Sequence, residues 1–114
     1  MNTVLDIYTD SLKDALLHLR SVLHMDTNAM VVLHWLCTKE KDGQVVVDAE
    51  AYRKELKMSR QSFSNNIVLL RAAGLIYKDE RGVFRISSLI PRSFPATFTI
   101  NFKPRPHGSG KGKL

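Results

Sequence analysis

Cysteine is nearly absent. Cys37 stands alone, so the chain has no disulfide partner and no thiolate cluster for zinc, and a reducing, cytoplasmic setting is expected. Long apolar runs are missing too: nothing reaches the ~18 residues of a membrane span. The start, MNTVLDIYTDSLKD, has no basic region leading into an apolar one, so the sequence predicts neither a secreted nor a membrane-spanning protein. There is no P-loop, paired-carboxylate site, nucleophile motif or internal repeat. His34 and Cys37 stand i, i+3 on one helix, but two ligands without a third make no zinc site, and His18 and His24 fall on different helix faces. The expectation is no enzyme, no metal and no cofactor. With 114 residues, 44% of them hydrophobic, the chain has material for one core and not for two.

What the chain does have is basic charge, unevenly placed. The net charge is +6, yet residues 1–48 carry −3, residues 49–92 carry +5 and residues 93–114 carry +4. Clustered Lys and Arg displace condensed counterions from phosphates, so this split fits a protein with one surface for a polyanion and another for protein, although it also serves solubility.

Periodicity divides the chain into short elements. Leu12, Ala15, Leu16, Leu19, Val22 and Leu23 predict an amphipathic helix over about 10–24, with Leu17 off the stripe. Thr27 is the expected N-cap of a second helix, 28–38, with Ala29, Val32, Leu33 and Leu36 on one face and Val31 and Trp35 on the other. A helix apolar on two sides is expected to be buried on two sides. Val45-Val46-Val47 reads as a short strand, Asp48 caps a third helix over 49–56, and Ser59 caps a fourth that ends at Gly74. Beyond it, 75–78 and 83–87 predict a β-hairpin turning through Asp79-Glu80-Arg81-Gly82. Phe98, Ile100 and Phe102 alternate with Thr97, Thr99 and Asn101, which predicts a strand with one buried face. The expected domain is 1–102. The tail 103–114, KPRPHGSGKGKL, has nothing to bury and is expected to be disordered.

Helix, helix, short strand, helix, turn, helix, hairpin is a winged helix-turn-helix order, so the predicted class is α+β, mainly α, with an extra N-terminal helix and a C-terminal β-strand. In that layout helix 59–73 enters the ~12 Å wide major groove while the hairpin, 77–86, rests on the backbone. No acidic residue occurs between Glu55 and Asp79, so helix 59–73 meets phosphates without repulsion. Gln61 and Asn65, one turn apart and facing outward, are the expected base readers, since an amide bonds adenine at N6 and N7. Arg60, Ser62 and Ser64 flank them, and Arg60 reaches guanine or phosphate. Lys57 and Ser59 are candidate phosphate ligands at the helix N-terminus, and Lys78, Arg81 and Arg85 are candidate wing contacts. Asp79 and Glu80 at the wing tip oppose deep insertion there.

MSRQSFSNNIVLLRAAGLI resembles the recognition helix and following strand of the winged-helix DNA-binding superfamily, and ERGVFRI resembles its wing. The resemblance spans about 27–87 and is greatest to plasmid replication proteins of the small Firmicute type and to MarR-like regulators. It implies a cofactor-free, sequence-specific binder of double-stranded DNA, usually a homodimer, that regulates transcription or plasmid or phage replication. The chain departs from MarR-like proteins in having the 98–102 strand and a basic tail in place of a long C-terminal dimerisation helix. A competing expectation is a protein-protein adaptor that docks through Val68, Leu69 and Ala72. The first helix with Leu17, and the strand after Pro95, are the candidate pairing surfaces.

Overall fold

A computed structural model describes residues 3–102. The tail 103–114 and the side chain of Phe102 lie outside the described residues. The order is β1 (Thr3–Thr9), α1 (Leu12–Leu23), α2 (Thr27–Lys39), β2 (Val45–Val46), α3 (Ala49–Leu56), α4 (Arg60–Ala72), β3 (Ile76–Glu80), β4 (Val83–Ile86) and β5 (Ala96–Phe102). The fold is α+β, four helices with two small antiparallel sheets. Among the described residues no helix is long and apolar enough to cross a membrane.

Local chemistry sets the boundaries. Ser11, Asp26, Asp48 and Ser59 each accept a backbone N–H of the first turn, so α1 to α4 all begin at a side-chain oxygen. The cap of α2 is Asp26 and not the expected Thr27, because the aspartate, one residue earlier, already bonds the Asn28 N–H. The left-handed His24 (φ 55°) ends α1, and Gly74 (φ 73°) turns the chain from α4 into β3.

Helix α2 runs through the middle of the core. Ala29, Met30, Val32, Leu33, Trp35 and Leu36 are buried, packed by α1 on one side and α4 on the other. The expected second apolar face is only half covered: Trp35 is buried, whereas Val31 is 42% exposed.

Strand β1 is the element that sequence pattern does not announce. It pairs with β5 over seven positions and joins the two ends of the domain. Ile7 and Thr9 point inward beside Phe98, but Val4 and Tyr8 on the outer face break the alternation that would mark a strand. The partner strand after Pro95 behaves as expected, with Phe98 and Ile100 buried. The second sheet runs β2-β4-β3. Its hairpin is tighter than the expected four-residue turn, since Glu80 pairs with Val83 and Gly82 (φ 77°) closes the loop.

A single arginine fastens the segment after β4. Arg92 donates Nε and Nη2 to the two Glu40 carboxylate oxygens at 3.1 and 2.9 Å, and its remaining donors go to the carbonyls of Ile86, Ser87 and Ile90. One guanidinium thus ties the end of α2 to the chain leaving the sheet. Replacing Arg92 by Ala is expected to lower unfolding stability by about 2 kcal/mol, because several charge-assisted bonds disappear together. The neighbouring exposed Ser93→Ala serves as reference, and urea titration of both variants measures the difference. Equal midpoints would show that the clamp contributes nothing.

Candidate nucleic-acid interface

The site is built on the outward side of α4. Phe63, Ile67 and Leu70 are buried and fix which side faces the core. Phe63 stacks on Tyr52 of α3 at 4.1 Å between ring centroids and meets the edge of Trp35 of α2 at 5.9 Å. At 3.6 residues per turn, Gln61, Asn65, Val68 and Ala72 then fall opposite the core, and all four are exposed. Arg60, Ser64 and Arg71 line one border of that face, also exposed.

Gln61 Nε2 donates to Asn65 Oδ1 at 3.0 Å. Bonded this way, the pair still offers a carbonyl, Gln61 Oε1, and an amide, Asn65 Nδ2, with no partner among the described residues. One acceptor beside one donor is the complement of adenine N6 and N7.

The expected flanking residues divide into two groups. Ser59 caps α4 by accepting the Ser62 N–H at 3.1 Å, and Lys57, in a left-handed conformation (φ 55°), turns the chain just before it. Ser62 is half-buried, and its backbone carbonyl, not its hydroxyl, accepts Asn66 Nδ2 at 2.9 Å. Asn66, polar in sequence, is buried and donates that bond within its own helix. Arg60 and Lys57 form no ion pair with any described residue.

On the hairpin the three expected cations differ. Arg85 pairs with Asp79, which also accepts Gln44 Nε2 at 3.0 Å. These bonds, from Gln44 first and then Arg85, hold the Asp79 carboxyl below its usual range, so the cluster persists at neutral pH. In register terms Arg85 faces Tyr77 across the ladder, while Lys78 faces Phe84, so the two cations lie on opposite faces of the hairpin. Lys78 and Arg81 are exposed and form no ion pair with described residues. The loop itself is tethered, since the Val47 N–H donates to the Gly82 carbonyl at 2.8 Å.

Two residues escaped sequence reasoning. Arg71 and Tyr77 line a cleft of about 490 Å³ with Val68, Ala72, Ile76 and Lys78, in the angle between α4 and β3. Arg71 lies in the same acid-free stretch as Arg60, but seven residues beyond Ser64 its place on the Arg60 border shows only once the helix phase is fixed. Among the described residues no three potential metal ligands converge. Burial raises the Cys37 thiol to about 11, against the reach of Arg92, so it is no nucleophile at neutral pH.

Comparison with known proteins adds nothing to this geometry: no family model, curated protein or solved structure matches the chain.

The geometry depends on where α4 starts. Ser59→Ala removes the cap and is expected to cost about 1 kcal/mol of stability. Ser59→Asp, which keeps the acceptor, is expected to retain it. Thermal unfolding of the two variants side by side checks this, and equal losses would show that Ser59 Oγ is not what fixes the helix start.

Proposed function

We propose that this chain is a sequence-specific double-stranded DNA-binding protein of winged helix-turn-helix type, acting as a regulator of transcription or of plasmid or phage replication. The observation that carries the reading is the exposed face of α4: Gln61 and Asn65 side by side, bordered by Arg60 and Arg71, which form no ion pair with described residues, with no acid along the helix. The order α2, β2, α3, α4, β3, β4 supports it, since α3 and α4 stand as a helix pair beside a three-stranded sheet. In this reading α4 lies in the major groove, Gln61 and Asn65 read a base edge, and Lys57 and Ser59 hold a phosphate at the helix start. Arg71 and Lys78 flank the cleft where a sugar-phosphate strand would pass. Arg85, held by Asp79, contributes little. Two copies acting on one site would double a reading surface only a few base pairs long.

A second reading has its own observation. Val68 is 61% and Leu69 44% exposed on α4, an apolar strip with Ala72 that fits a protein-protein adaptor. Thymine methyl groups would also meet Val68, and the polar half of the same face supports DNA as the ligand.

Selection of bound sites from random duplex, followed by titration at several salt concentrations, tests the proposal. With about six phosphates neutralised per subunit, the log-log slope of affinity against salt is expected near −5. Gln61→Ala and Asn65→Ala are each expected to weaken the selected site by ~1–3 kcal/mol while leaving random duplex binding unchanged. A flat salt response, or partner capture that survives Arg60→Ala and Gln61→Ala without any DNA affinity, would favour the adaptor.

Asp79→Asn makes a separate prediction. It removes a negative charge from the hairpin and releases Arg85, so duplex affinity is expected to rise and the salt slope to steepen by about one if that face meets the backbone. An unchanged slope in the same titration would place the hairpin's outer face away from DNA.

A further inference from the structure

A second concavity shares no lining residue with the α4 face. Between α1 and α2 runs a groove of about 600 Å³, with Leu16, Met30 and Trp35 along its floor and Leu56 of α3 at its end. No residue of α4 lines it. Two of its walls are apolar side chains left in water, Leu17 at 54% and Val31 at 42% exposure. Both fall outside the stripes that pack α1 and α2 into the core, so internal packing does not explain them.

The charges around this groove run against the half of the chain in which it lies. Residues 1–48 carry a net −3, yet the charged side chains lining the groove are Lys13 and Arg20, and no acid lines it. Lys13 and Arg20 are both exposed and form no ion pair with described residues. Seven residues apart on α1, they stand two turns, or ~10 Å, from one another along the helix axis.

We infer that the groove between α1 and α2 docks an amphipathic helix of a partner protein, whose apolar stripe fills the groove and whose Asp or Glu residues, two turns apart, meet Lys13 and Arg20. Three alternatives fit less well. A second copy docking through this face would bring Lys13 and Arg20 against the same two cations, since a two-fold interface matches a patch with itself. The chain's own tail, KPRPHGSGKGKL, is basic and lacks an apolar stripe. A phosphate backbone would satisfy the two cations but strand Leu17, Val31 and the apolar floor against a polyanion. A helix supplies both features at once, because residues at i, i+3, i+4 and i+7 share one face and carboxylates at the flanks reach the rim.

The probe is a labelled amphipathic peptide of about four turns with leucines at i, i+3, i+4 and i+7 and flanking glutamates, beside a counterpart with flanking lysines. Fluorescence anisotropy is recorded against the full chain. The glutamate peptide is expected to bind, more weakly as salt rises, and the lysine peptide not to bind. Leu17→Ser and Val31→Ser, both at exposed positions, are expected to abolish capture while the melting temperature holds. Lys13→Glu with Arg20→Glu is expected to reverse the preference between peptides by about tenfold, the size of two exposed ion pairs turned to repulsions. Equal binding of both peptides, binding of neither, or a dimer that Leu17→Ser dissociates would overturn the proposal. DNA affinity of Leu17→Ser reports on α4 separately, so failure of DNA recognition and failure of docking are distinguishable.

Discussion

The stack of Phe63 on Tyr52, with Trp35 against its edge, is the contact on which the functional surface rests. A helix of 13 residues can turn about its axis until one side chain locks it, and here that side chain enters a pocket built by α2 and α3. Burying an aromatic of this size contributes more than any single exposed polar contact, since removing one costs about 3–5 kcal/mol. The rotation of α4 is therefore decided from inside. Gln61 and Asn65 face outward because Phe63 faces inward.

Trp35 receives further constraint from the opposite direction. Its indole N–H donates to Glu55 Oε1 at 3.1 Å, and Lys39 Nζ sits 2.8 Å from the same oxygen. Lys39 first, then Trp35, holds the Glu55 carboxyl below its usual range, so it stays ionised at neutral pH. These exposed groups are screened by solvent and add little energy. What they add is direction, because an indole N–H that has a partner keeps its ring in one orientation.

Much of this was legible in sequence, and the exceptions have physical causes. Caps at Asp48 and Ser59 are local chemistry, as is the glycine after α4, and all stand where the pattern predicts. The outward setting of Gln61 and Asn65 follows from helical period alone. Strand β1 did not follow, since its pairing partner lies some ninety residues away and its outer face carries Val4 and Tyr8. The Asp79 grip on Arg85 was equally hidden. A charge in sequence is only a charge; whether it is free depends on a bulge at Asp79 that brings the carboxylate beside Arg85 and Gln44. The burial of Asn66 is equally hidden, since a polar residue in sequence does not show that its side-chain amide donates to the Ser62 carbonyl one turn back.

The two candidate surfaces share one residue. Trp35 lines the groove between α1 and α2 and also touches Phe63, so α2 carries one indole with a different neighbour on either side. Close-packed interiors transmit displacement only where a side chain has a second place to go. Here the stack on Tyr52, the bond to Glu55 and the packing of α2 each oppose movement of that ring. An occupant of the groove changes α4 only if it binds two settings of Trp35 with different affinity, since a ligand indifferent to both shifts nothing. With the indole held from three sides, the architecture favours two surfaces that act independently over a switch between them.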